Sequence, residues 1–246
     1  MSEATLPRIA LIGNPNSGKT ALFNLLTGSR QKVANYAGVT VERKEGRMLG
    51  ASGRSYAVLD LPGAYSLAPA SLEEAIARDV CRGFYPGEAA PELLVCVVDA
   101  TNLRLHLRFV LELRELGRPM IVALNQMDAA AKRGIDVDVA ALSRELGLPV
   151  VETIAVRGDG AEALVEQIEA MFTAGALPEA SATTSEDLHA EARRLIDATV
   201  RMPRRTAQVD DALDRWLLHP VFGLLTLAVV MFLMFQAVYA WATPLM

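Results

Sequence analysis

The stretch IALIGNPNSGKTALFNLL, residues 9–26, constrains the fold more than any other. An apolar run, a glycine-bounded loop and a second apolar run at helical spacing follow one another without a break. GNPNSGKT fits G-x-x-x-x-G-K-[ST], a loop whose backbone amides wrap phosphate oxygens when a strand feeds it and a helix opens behind it. Gly13 and Gly18 let the loop of Asn14, Pro15, Asn16 and Ser17 turn its amides inward. Lys19 then reaches β- and γ-phosphate oxygens, and the Thr20 hydroxyl ligates Mg2+.

The rest of the chain alternates in the way such a loop requires. RIALI reads as a buried strand, followed by a helix from Lys19 to Thr27, while QKVANYAG at 31–38 reads as loop. VTVERKEGRML and RSYAVLDL are strands joined by the turn-prone GASG at 50–53. SLEEAIARDVC is a helix with Ser71 as N-cap and Glu74 three residues on, the capping-box spacing. ELLVCVVDA, PMIVALNQMD and PVVETIAV are strands. NLRLHLRFVLELRELG (closed by Gly117), VDVAALSRELG and GAEALVEQIEAMF are helices. This order predicts an α/β fold with a mostly parallel six-stranded sheet covered on both faces.

Further elements narrow the ligand. In DLPG, Asp60–Gly63, a carboxylate can hold magnesium through water and a glycine amide can meet a γ-phosphate. Thr40, in GVTVE, lies in a loop able to close over the metal. NQMD, Asn125–Asp128, ends a strand, and Asp128 there can accept from the N1–H and 2-amino groups of guanine. Adenine presents neither donor, and an unpaired buried carboxylate rejects it. The four elements in this order make the base guanine.

Composition excludes other classes. A net charge of −5 leaves no basic footprint for nucleic acid. Two cysteines, Cys81 and Cys96, sit in apolar runs and read as buried free thiols in a reducing compartment. Met1–Pro7 carries no apolar signal region. From Trp216 to Met246 there is no Asp, Glu, Lys or Arg, and Val221–Trp241 is long enough to cross a hydrocarbon core of about 30 Å. Tyr239 and Trp241 suit an interfacial belt, and Arg201, Arg204, Arg205 and Arg215 before the run put the bulk of the chain in the cytoplasm. The expected parts are therefore a GTP-binding domain at 1–173, a linker at 174–185, a short helical segment at 186–218 and a transmembrane helix at 219–242. DLHAEARRLIDATV and QVDDALDRWLLH form the helices of that segment. His106, His189 and His219 have no second ligand at helical or turn spacing, so no iron site is read in this chain.

The motif order resembles the Ras-like translation-factor class of GTPases. QKVANYAGVTVERKEG, DLPGAYSL and VDDALDRWLLHPVFGL look like the bacterial ferrous iron transporter B (FeoB) family. In that family a cytoplasmic G domain and a small helical domain precede a membrane region that moves Fe2+ inward. The resemblance implies phosphate binding at Asn14–Thr20, with Gly38, Val39 and Thr40 in the closing loop. It implies Mg2+ at Thr20, Thr40 and Asp60, and catalysis through Lys19, Thr40 and Gly63. Asn125, Gln126 and Asp128 would hold the base, and Asn16 would hold an activating K+ beside the phosphates. Its partners are then GTP or GDP, the bilayer, small accessory Feo proteins and further copies of the chain, with Fe2+ met only through a larger membrane region.

Three departures modify this expectation. Gln126 stands where a basic residue is usual, which lowers expected affinity. The last guanine element falls at IAV, residues 154–156, without its serine, leaving the Ala155 amide to meet guanine O6. Ala64 follows D-x-x-G where many GTPases carry a water-orienting Gln, so intrinsic hydrolysis is expected to be slow and raised by K+. The resulting expectation is a membrane-tethered GTPase that gates or drives ferrous iron uptake at the bacterial inner membrane, as a fragment of a longer transporter. The alternative is an assembly or RNA-processing GTPase carrying a membrane anchor.

Overall fold

The computed structural model describes residues 6–28, 31–174, 187–201 and 216–237. The chain divides after Arg201 into two compact units. In the first, β1 (Arg8–Gly13) runs into α1 (Lys19–Thr27), followed by β2 (Gln31–Asn35), β3 (Glu42–Leu49) and β4 (Ser55–Asp60). Next come α2 (Leu72–Arg82), β5 (Leu93–Asp99), α3 (Leu103–Arg114), β6 (Met120–Asn125) and α4 (Met127–Lys132). Then follow β7 (Asp136–Val137), α5 (Val139–Leu146), β8 (Val150–Glu152), α6 (Glu162–Thr173), α7 (Leu188–Thr199) and β9 (Val200–Arg201).

Seven strands form one sheet in the order β2-β3-β4-β1-β5-β6-β8, and β7 pairs with β9 separately. The pairs from β4 through β8 are parallel, while β2–β3 and β3–β4 are antiparallel. The strand count corrects the expected six. Residues 31–35, expected as loop, are the edge strand β2, paired from Gln31↔Gly46 to Asn35↔Glu42. QKVAN carries no alternation to announce it; the open edge of β3 supplies its hydrogen-bond partners.

The sheet buries both faces, and the strands show it by splitting their side chains with period two. Ala10 and Ile12 of β1, Leu94, Cys96 and Val98 of β5, and Val122 and Leu124 of β6 join one core with α2, α3, α5 and α7. Ile9 and Leu11, Leu93, Val95 and Val97, and Ile121 and Ala123 join the other core with α1 and α6. Both cysteines are buried and free, and burial pushes the Cys81 thiol up to about 12. Helix α7, expected in a separate helical segment, gives Ala192 and Leu195 to the first core and packs on α3 and α5.

In the second unit, α8 spans Phe222–Gln236, 15 apolar or uncharged residues with none buried. At 1.5 Å per residue this described stretch is about 22 Å long. The expected transmembrane helix at 219–242 is not supported by this stretch: among the described residues no helix is long and apolar enough to cross a membrane. Its last part, with Tyr239 and Trp241, lies outside the described residues, as do Arg204, Arg205, Arg215, most of the expected linker and most of the expected helix at 208–219.

Candidate nucleotide site

The topology collects the motifs at one edge of the sheet. β1, β4, β6 and β8 are parallel, so the segments after Gly13, Asp60, Asn125 and Glu152 all emerge at their carboxyl ends, where open α/β sheets bind ligands. Because β3 runs antiparallel with Lys44 opposite Asp60, its start and the preceding Thr40 reach the same edge. A cavity of about 720 Å³ opens there, lined by Asn14, Pro15, Asn16, Gly18, Lys19 and Thr20, by Thr40, and by Asp60 and Gly63. Glu42, Lys44 and Glu73 also line it, three charged residues the motif reading passed over.

Gly18 has φ 85°, and a Cβ there would lie 2.2 Å from Asn125 Nδ2, so a side chain is excluded twice over. α1 begins at the next residue with no side-chain cap, which leaves its first amides to the cavity. Lys19 Nζ pairs with the Asp60 carboxylate, and Thr20 Oγ1 lies 3.4 Å from Asp60 Oδ2. With Thr40 on the same wall, this is the all-oxygen donor set that a hard divalent cation such as Mg2+ takes. Asn16 adds an amide to that wall, a donor suited to a monovalent cation. Gly63 abuts the loop from the other side: a Cβ on it would meet Pro15 at 3.1 Å. Ala64 is buried and its amide donates to Gly13 O at 3.2 Å, so no side chain there reaches toward a water.

On the base side, Asn125 is the hub. It is 2% exposed, donates from Nδ2 to Ser17 O at 3.0 Å, and accepts at Oδ1 from the Ala155 amide (3.0 Å) and Thr153 Oγ1 (3.4 Å). The Ala155 amide, expected at guanine O6, is thus engaged by Asn125 in this structure. Gln126 takes a left-handed backbone (φ 63°) and donates from Nε2 to Asn16 O at 3.4 Å. Asn16 (φ 66°) and Gln126 are the two non-glycine residues with positive φ among the described residues, and they touch each other. Sequence reading expected Gln126 only to weaken binding; its tie to the phosphate loop had no signal beyond an amide at that position. Asp128 follows half-buried in the first turn of α4. Gly13, Ser17, Gly38 and Val39 do not line the cavity, and neither do the expected base-side residues Asn125, Gln126, Asp128 and Ala155. Ser17 is fully buried beneath the loop, and Val39 packs against the first core.

The closing loop is fastened by residues the motifs do not contain. Tyr36 is buried with its ring 5.3 Å from that of Tyr85, edge to face, and burial holds its phenol well above the ordinary range. Tyr85 Oη donates to Ala37 O at 3.2 Å. Glu88 receives Arg43 from β3 and Arg8 from β1, the latter at 2.8 Å. His106 is buried, accepts the Asp99 amide at 3.4 Å, and has its pKa lowered by that burial, as a structural imidazole does.

A phosphate loop after the central strand, D-x-x-G after its neighbour and N-x-x-D two strands across define a P-loop domain of the GTPase type. The chain belongs to the ferrous iron transport protein B family, whose pattern matches residues 7–168, and this is the family's N-terminal GTPase region. It is 53% identical over 157 residues to the Fe(2+) transporter FeoB of Salmonella typhimurium, covering 63% of this chain and 20% of that one. It therefore spans about a fifth of the length of the curated relatives it matches. The cytosolic domain of the T. maritima FeoB iron transporter superposes in its GDP form with TM-score 0.62 and 43% identity, over 68% of this chain and 63% of that one. Its GMPPNP form gives 0.61 and 41%, over 68% and 64%.

Proposed function

We propose that this chain binds GTP and hydrolyses it slowly, as the nucleotide-operated part of a ferrous iron transporter at the bacterial inner membrane. The observation that carries the reading is the joining of Asn125 and Gln126 to the carbonyls of Ser17 and Asn16, which ties the N-x-x-D element that carries Asp128 directly to the phosphate loop. Relatives with solved GDP and GMPPNP forms support guanine as the base. The small Ala64, with its amide occupied, supports slow turnover. Thr20, Thr40 and Asp60 would hold Mg2+, which when bound neutralises phosphate charge, and Asn16 would hold K+.

In this reading Lys19 binds the phosphates, the Gly63 amide and Thr40 report the γ-phosphate, and the 31–44 segment, through the connection between β2 and β3, closes over it. The G domain takes up 1–173, and the apolar α8 belongs to the part that tethers the chain to the membrane. Nucleotide state gates or drives Fe2+ entry through a larger membrane region, with further copies of the chain and small accessory Feo proteins as partners. A net charge of −5 disfavours a nucleic-acid partner.

Titration of the purified chain with GTP and ATP, wild type against Asp128→Ala, tests the base. GTP preference should be at least about a hundredfold and collapse in the variant; tight ATP binding overturns it. Equal turnover in Na+ and K+ removes the role of Asn16. Iron uptake that survives Lys19→Ala in cells carrying the longer protein removes the coupling to transport.

A further inference from the structure

The backbone directly after Gly63 forms neither helix nor strand, so its amides must find partners one at a time. Tyr65 N donates to Glu74 Oε1 at 3.1 Å and Ala70 N to Glu74 Oε2 at 2.8 Å. Leu67 N donates to Glu112 Oε2 at 2.6 Å, and Ser66 Oγ donates to the same oxygen at 2.7 Å while accepting Ala68 N at 3.1 Å. Glu74 is local, on the helix that follows. Glu112 comes from α3, 46 positions beyond Ser66, and its other oxygen accepts Arg108 Nε at 3.1 Å.

Glu112 is 7% exposed and sits between the fully buried Leu111 and Leu113. A carboxylate at such a position is costly unless donors satisfy it. A helix that only needed filling there would carry another leucine. All three of its donors are accounted for, and two of them belong to the segment joined to Gly63. The same helix receives α7.

We infer that Glu112 is a positioning residue for the nucleotide site: it fixes the segment following Gly63 in the place from which that glycine meets a γ-phosphate, and it ties that segment to the helix on which α7 packs. The inference rests on the GTPase reading above. GDP has no γ-phosphate, so its binding does not draw on this segment. A triphosphate does, and without Glu112 it must order the segment itself on binding.

The test compares mant-GDP and GMPPNP affinity, kcat and KM for the full chain, wild type against Glu112→Ala, Glu112→Gln and Ser66→Ala. Glu112→Ala should weaken GMPPNP roughly five- to tenfold and lower kcat, with GDP affinity within about twofold. Glu112→Gln keeps an acceptor for the Leu67 amide and should recover most of the loss. A merely structural role would lower the affinities for both nucleotides by one factor. That result overturns the inference, as do unchanged GMPPNP affinity and kcat. If Glu112→Ala fails to fold, Ser66→Ala removes one donor without emptying the core. It should cost about threefold in GMPPNP alone, and no change there overturns the inference equally. Failure of the wild-type chain to bind either guanine nucleotide would instead sink the GTPase reading.

Discussion

The expected base-side and phosphate-side elements draw their hydrogen bonds from different parts of the fold. On the base side the partners are strand ends and their immediate followers: Asn125 at the end of β6, Thr153 and Ala155 after β8, Ser17 in the phosphate loop. All four are buried, and they are joined to one another through Asn125. On the phosphate side, 36–41 and 63–70 are held by side chains sent from elsewhere: Tyr85, Glu74 and Glu112. The choice of base is made once and can be built into the sheet. A report on the γ-phosphate has to change, so it is built from segments whose few tethers can be exchanged.

That contrast breaks most visibly at Asn125. Asn125→Ala strands the Ala155 amide and Ser17 carbonyl in a buried place, and each unsatisfied group costs about 1–3 kcal/mol. Chemical denaturation should show a loss of about 3 kcal/mol together with collapse of guanine affinity. A stable variant that still binds GTP would mean that the base side is no more rigid than the other.

Gly63→Ala should produce the next largest effect, with the opposite signature. A Cβ would sit 3.1 Å from Pro15 Cγ and 3.2 Å from the Pro15 backbone nitrogen, so the loop must give by a few tenths of an ångström. Single-turnover hydrolysis should slow roughly tenfold or more while GDP affinity and thermal stability stay close to wild type. A parallel fall in GDP binding would show that Gly63 supports the loop rather than reads the phosphate.

The same contrast explains what the sequence discloses. The phosphate loop, D-x-x-G and N-x-x-D are legible because their chemistry is local, each a few residues at the end of an apolar run. The two-faced sheet is legible because LLVCVV and IVAL are apolar throughout. β2 is not, because QKVAN is polar and owes its form to the edge of β3. Glu112, Glu88 and Tyr85 escape for the same reason: contacts spanning more than 40 positions leave no spacing to read. The apolar run after Trp216 announces a helix, and α8 occupies Phe222–Gln236 of it.

The smallest expected effect sharpens the phosphate side alone, through pH. The Ala70 amide, then the Tyr65 amide, hold the Glu74 carboxyl below its ordinary value of 4.5. A carboxyl whose folded pKa is depressed adds stability that is complete above the unfolded value and disappears as pH falls through the folded one. The tether should therefore be intact at pH 6 and weaken progressively below 4.5, with the amides of Tyr65 and Ala70 losing hydrogen-exchange protection before those of β6. Glu74→Gln cannot titrate, so its protection at these amides should stay flat across that window. The Asn125 bonds involve no titrating group and should not respond. If Ala155 loses protection in step with Ala70, the two sides share one stability and the division between fixed and exchangeable contacts fails.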